Sequence, residues 1–445
     1  GSAGQGALIN SSGNLVGGAT AVSGLTLTGN ATIDASARLD IGGAIDFSTF
    51  TLTKIGGNTL AFRSTVNSPN GSLVVDAGRA YIENNDMTLD TITVNDGSQF
   101  GMYNYGDNTR TVTADITFNG SSRLSSDTND NGNAQFEGTI NVNGGTLTIE
   151  DNFGSAGTDA DYIINSVISG TGIIILDGSN GNSVGDFLEL NGANTFSGTV
   201  RMAGNGPLKL GNELSLQNAT LDTGSSAGDS VDFGTLTAAT FGGLTGSDGI
   251  VLENASSAAV SLSVGNNDLN TTYAGGLSGI GSLTKIGTGT FTLSGTNSFT
   301  GATLISEGVL SLSGGAALAD TNAVTLANIA GASLNLVNDE TIGSLAGGGT
   351  VGGSVTLGAN TLTTGENDTS TTFAGIVSGT GGVTKVGTGT FTVSGVNTYS
   401  GDTRVSEGIL KLGNNSALGD EVGKTVVNGG TLDIGGFRAG VTGNE

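Results

Sequence analysis

The side chains best suited to chemistry in this chain are oxygen donors on short, glycine-bounded stretches. Asp127, Asn129 and Asn131 take the first, third and fifth places of an Asp-Thr-Asn-Asp-Asn-Gly run ending at Gly132. Carboxylate and amide oxygens at alternate positions of a tight loop are what calcium requires. In a helix-flanked calcium loop the closing glutamate would fall at Gly138; here Glu137 stands one residue early, and no helical pattern flanks the segment. Two expectations follow: a calcium site from Asp127, Asn129, Asn131 and Glu137, or a solvated Asp/Asn/Gly turn.

Carboxylate pairs can hydrolyse glycosidic bonds, and Asp159 with Asp161, or Asp229 with Asp232, are candidate pairs. They lie in Gly/Ser-rich stretches without nearby basic or aromatic residues. The chain has no Trp and only 6 Tyr, so the aromatic platforms of saccharide-cleaving clefts are missing. Having no His and no Cys excludes Ser-His-Asp and Cys-His catalysis and any zinc site built on imidazole or thiolate. A non-enzymatic chain is expected, with no cofactor apart from calcium. For contact with a ligand, MYNYGDNTR at 102–110 stands out, because Tyr103, Tyr105 and Arg110 are types enriched at interfaces.

Charge narrows the partners. The net charge is −25, from 39 acidic and 14 basic residues without a basic cluster. Nucleic acid needs phosphate-neutralising cations along one face, so that partner is excluded, and anionic membrane surfaces are disfavoured. No apolar run approaches the ~20 residues of a spanning helix.

The elements that must position these groups are strands. Phe291-Thr292-Leu293-Ser294 and Thr146-Leu147-Thr148-Ile149-Glu150 alternate apolar with hydroxyl or charged residues, the pattern of a half-buried strand. No 3.6-residue apolar stripe appears, so almost no helix is expected. Residues 262–312 recur at 362–412 with 29 of 51 positions identical. Fixed internal periods mark stacked architectures. The 80 glycines far exceed the usual ~7%, yet they are phased with apolar strands, which argues for coil corners against disorder. The expected fold is all-β: a right-handed parallel β-helix, a solenoid with coils of about 20 residues. Residues 1–166 read as its irregular N-terminal part and 167–445 as its repeat-containing part, one continuous solenoid with strong repeats at 262–312 and 362–412.

Within the repeats, Asn194, Asn297 and Asn397 are expected as turn amides bonding between coils, the alternative being a ligand-facing row. Phe196, Phe299 and Tyr399 are expected as an inward stack, the alternative being an exposed aromatic platform. Lys285 and Lys385 recur with Glu307 and Glu407, which would place an exposed ion pair between neighbouring coils.

SGTGGVTKVGTGTFTVSGVNTYSGDTRVSEGILKL, ending at Leu412, resembles the passenger-associated repeat, or autotransporter-associated β-strand repeat. Weaker copies are ELNGANTFSGTVRMAGNGPLKL at 189–210 and LTKIGGNTLAF at 52–62. The resemblance implies an autotransporter passenger: a secreted, bacterial cell-surface β-helix, attached to the outer membrane or released, acting as an adhesin or biofilm factor. Members of this kind usually end in a membrane barrel. No barrel-like strands precede the end at VTGNE, and no signal peptide opens the chain; targeting sequence removed upstream, and either a removed barrel or another route to the surface, are the expectations. Two alternatives stand beside the adhesin: a self-assembling subunit of an extracellular fibre or surface layer, and a polysaccharide-active β-helix enzyme. Expected partners are a host or matrix surface, glycan or protein, and other copies end to end, without direct membrane insertion by this segment.

Overall fold

Side-chain alternation sets the strand phase, and the phase sets what is inside. In Thr51–Ile55, Leu52 is buried between half-buried Thr51 and Thr53; in Thr290–Leu293, Phe291 and Leu293 are buried between half-buried threonines. A computed structural model describes residues 6–10, 22–104, 108–128, 133–151, 162–177, 188–204, 206–225 and 230–438. Among them there is no helix. The strands pair in parallel and stack as a β-solenoid with about 21 residues per coil, as the repeat spacing predicts.

The chain divides into two units, Gly1–Gly234 and Thr235–Glu445. In the first, an inward column runs through Leu52, Leu73, Ile92, Ile116, Ile140 and Ile168, each in register with the next. In the second, Phe291, Leu310, Leu334, Val355 and Val377 form the equivalent column. All of these side chains are buried. Full burial of one such side chain contributes about 1.5–3 kcal/mol.

Tight corners turn one sheet into the next. Gly287 and Gly387 both have φ +66, and a Cβ on either would lie 2.0 Å from the carbonyl oxygen of Gly265 or Gly365 one coil away. Only glycine permits that approach without moving the backbone, so the GTGT element shared by the repeats is a corner specification.

Candidate functional site

The recurring asparagines and lysines of the repeats are spent on the backbone. Asn297 is buried; its Oδ1 accepts from Leu277 N–H (2.6 Å) and its Nδ2 donates to the Ala317 carbonyl (2.7 Å), so one amide joins three successive coils. Asn397 does the same between Val377 and Ala417, and Asn194 between Ile168 and Ser215. These are the coil-bridging amides expected from the sequence. Phe196, Phe299 and Tyr399 are buried, forming the inward stack.

The lysines correct the sequence reading. Lys285 is only 1% exposed, and its Nζ donates to the carbonyls of Ile286 (2.6 Å), Gly287 (2.6 Å) and Glu307 (3.2 Å). Lys385 repeats this with Val386, Gly387 and Glu407, and Lys54 with Ile55, Gly56 and Ala77. The partner of each repeat lysine is thus the glutamate's main chain, not an exposed carboxylate. The strand phase turns the lysine stem inward, where the ammonium donates to corner carbonyls. Burial lowers Lys54 and Lys285 to about 8, against the pull of Asp34 on the first and of Glu307 and Asp268 on the second.

The outer face of the first unit is built differently. Asp40 is fully buried and Glu83 nearly so, yet their oxygens bond side chains, not backbone. Arg38 Nε lies 2.8 Å from Asp40 Oδ1 and its Nη2 reaches Glu83 Oε1; Arg63 Nη1 lies 2.9 Å from Asp40 Oδ2 and its Nε 3.3 Å from Glu83 Oε2. Asp40 is in register with Ala61, and Ala61 with Tyr81. The small Ala61 leaves room for the two guanidinium groups to close over the carboxylates. Burial pushes the Glu83 carboxyl upward, opposed by Arg38 and Arg63. Beside this cluster, Gln99 Nε2 donates to the Tyr81 hydroxyl (2.7 Å), and the Tyr81 ring lies over Gly101, where an added Cβ would meet Cε1 at 2.7 Å.

Two amide ladders also cross the coils of this unit. Asn143 donates to Asn119, Asn119 to Asn95, and Asn95 to the Asp76 carboxylate, each at 2.9 Å. Asn191 donates to Asn165 (2.8 Å), and Asn165 to Glu137 Oε1 (2.7 Å). Both chains of amides end on a carboxylate, a group that only accepts.

Of the contact residues read from the sequence, Tyr103 and Arg110 are half-buried, and Tyr105 lies outside the described residues. Tyr103 is in register with Glu83 on one neighbouring coil and Asp127 on the other. Arg110 opens the strand Arg110–Thr128, and its Nε is buried without a hydrogen-bond partner among the described residues. Of the calcium candidates, Asp127 belongs to that same strand, Asn129 and Asn131 lie outside the described residues, and Glu137 Oε1 accepts from Gln135 and Asn165. Among the described residues no three acidic side chains are gathered as a metal site. Of the acidic pairs, Asp159, Asp161 and Asp229 lie outside the described residues, and Asp232 Oδ1 accepts from Gly234 N–H in a local turn. The Arg38–Asp40–Arg63–Glu83 cluster was missed by sequence reading; its charged residues recur at uneven, coil-like intervals in a chain poor in arginine.

Residues 283–312 and 383–412 match the family described as Passenger-associated-transport-repeat. Over 176 residues the chain is 36% identical to the Adhesin BmaC autotransporter of Brucella suis biovar 1 (strain 1330). That match covers 36% of this chain and 5% of the relative's length. No solved structure matches. The resemblance read from the repeats is therefore borne out: the chain carries the repeats of an autotransporter passenger.

Proposed function

We propose that this chain is part of a surface-exposed or secreted adhesin-like passenger, in which the second unit's repeats are scaffold and the outer face of the first unit makes contacts. The observation that carries the reading is the different use of polar groups. Lys285, Asn297, Lys385 and Asn397 bond main-chain carbonyls and amides of their own and the neighbouring coils, which leaves them nothing to offer a partner. In the first unit, Arg63 and Arg123 bond other side chains and keep part of their surface in solvent. The named relative, an adhesin and an autotransporter, supports a non-enzymatic role at the cell surface. Tyr103 and Arg110, with Tyr105 between them in sequence, are the proposed contact residues. Aromatic and arginine side chains dominate the energetics of most interfaces.

The test is adhesion of beads coated with the purified chain to host cells or matrix-coated surfaces at 0.15 M salt, alongside electron micrographs of the same sample. Specific adhesion by separate particles is expected. Absence of adhesion, with filaments in the micrographs, would replace this reading with a self-assembling subunit.

A further inference from the structure

Within the first unit, one outward row of the stacked strands runs Arg79, Gln99, Arg123, Thr148, Ile175, Arg201, each in register with the next. Three of the chain's eight arginines thus stand on a single line along the coil stack. Arg79 is exposed, and the side chains of Arg123 and Arg201 are 57% and 46% exposed. Arg123 pairs with Glu150 and Arg201 with Asp222 (2.9 Å). Arg79 has no ion pair among the described residues. At one rung per ~4.8 Å, Arg79 and Arg123 are two rungs or about 10 Å apart, and Arg123 and Arg201 three rungs or about 14 Å apart.

Beside this row lies a groove of about 430 Å³ lined by Gly97, Ser121, Ser122, Arg123, Thr146 and Thr148. The corner that opens it has glycine at position 97, with φ +74, and a Cβ there would meet nothing within 4 Å. Its walls carry hydroxyls and one guanidinium and no large apolar side chain. Hydroxyls act as both donor and acceptor, which suits a ligand that is itself covered in hydroxyls.

We propose that this row and groove bind a linear acidic polysaccharide, with a carboxylate or sulfate on alternate sugars, laid along the coil stack. The inference rests on the surface-contact reading above and names its ligand class. The cations are wide apart. Duplex DNA carries one charge per ~1.7 Å of axis, so a row with cations every 10–14 Å or so neutralises few phosphates. A polymer whose charges recur once per disaccharide meets the guanidinium groups in turn and sets its uncharged sugars against Thr148 and the groove hydroxyls. The net charge of −25 repels any polyanion elsewhere, so binding concentrates where arginines face outward.

The test titrates the full chain at 0.15 M salt with hyaluronate oligosaccharides, neutral dextran of the same length and a single-stranded DNA oligonucleotide. Hyaluronate is expected to bind more tightly than either comparator. Arg79→Gln with Arg123→Gln should weaken it about tenfold, two exposed charge contacts at up to ~1 kcal/mol each. Arg404→Gln, removing an equally exposed, ion-paired arginine of the second unit (55% exposed, 3.0 Å from Asp402), should leave the affinity unchanged. Unaltered circular dichroism of the double variant excludes unfolding as the cause. Equal binding of dextran, tighter binding of DNA, or full affinity in the double variant overturns the inference. If adhesion of the chain to cells persists under any of those results, the surface-contact reading stands and only the ligand class falls.

Discussion

The repeats at 283–312 and 383–412 and the outer face of the first unit use one coil geometry to opposite ends. In the repeats the recurring asparagines and lysines turn inward and bond the main chain, as Asn297 does across three coils and Lys285 at its corner. On the outer face, Arg38, Asp40, Arg63 and Glu83 bond one another across coils. The lesson is that strand phase decides the role: a polar side chain one position out of phase stops bonding the main chain and meets other side chains outside. Lys54 shows that the division is not simply one of units. It lies in the first unit, yet its inward phase gives it the same three-carbonyl cage.

The largest expected effect breaks the scaffold. Phe291→Asp places a charge among Leu310 and its stacked neighbours and should destabilise by at least ~3 kcal/mol, read as lost hydrogen-exchange protection in adjacent coils. Near-neutral behaviour would mean that Phe291 faces solvent. Asn297→Ala leaves Leu277 N–H and the Ala317 carbonyl without their partner, costing about 2–3 kcal/mol in denaturant unfolding. On the outer face, Arg63→Met should cost only about 1–2 kcal/mol, since Arg38 still covers both carboxylates and the guanidinium is partly solvated. Salt sharpens the contrast. The Arg63 effect should shrink at 1 M salt, where the Debye length is ~3 Å, whereas the Asn297 effect should persist.

Lysine titration supplies a smaller effect with a definite sign. With Lys54 and Lys285 at about 8 in the folded chain and at the ordinary ~10.4 when unfolded, the unfolded state binds more protons between those values. Stability therefore rises with pH from about 8 toward 10. Burial pushes Tyr399 up to about 12, so above ~10 the unfolded tyrosine loses its proton first and stability falls again. Melting temperatures at pH 7.5, 9.5 and 11 should trace that maximum, and Lys285→Met should flatten its rising side.

The smallest effect compares the two repeats directly. The Tyr399 hydroxyl lies 2.6 Å from Thr403 Oγ1, whereas the first copy has Phe299, and the buried Thr303 Oγ1 has no partner. Phe299→Tyr should gain about 0.5–1.5 kcal/mol, seen as a later unfolding midpoint. A loss would show that the first copy has no room for the hydroxyl.

How much was legible follows from the same physics. The 100-residue recurrence and the alternation around Phe291 and Leu293 gave the solenoid, because both are one-dimensional signals. The bridging role of Asn297 was legible from its turn motif. The lysine cage was not: Lys285 and Glu307 at coil spacing suggested an ion pair, and only the corner geometry shows the ammonium meeting the glutamate's carbonyl. The outer cluster was hidden because Arg38, Asp40, Arg63 and Glu83 follow coil lengths that vary in the first unit, so no fixed period exposes them. Tyr103 and Arg110 were singled out by residue type alone; their neighbours in register, Glu83 and Asp127 on either side of Tyr103, needed the strand pairing.

The central claim, that contacts fall on the outer face of the first unit and not on the repeats, is tested most directly by hydrogen exchange of the full chain bound to the matrix or cells it adheres to. The account predicts added protection in Arg79–Glu83, Gln99–Asn104 and Arg110–Thr128, with residues 283–312 and 383–412 unchanged. Protection gained across the two repeats, with those three strands unaltered, would contradict it.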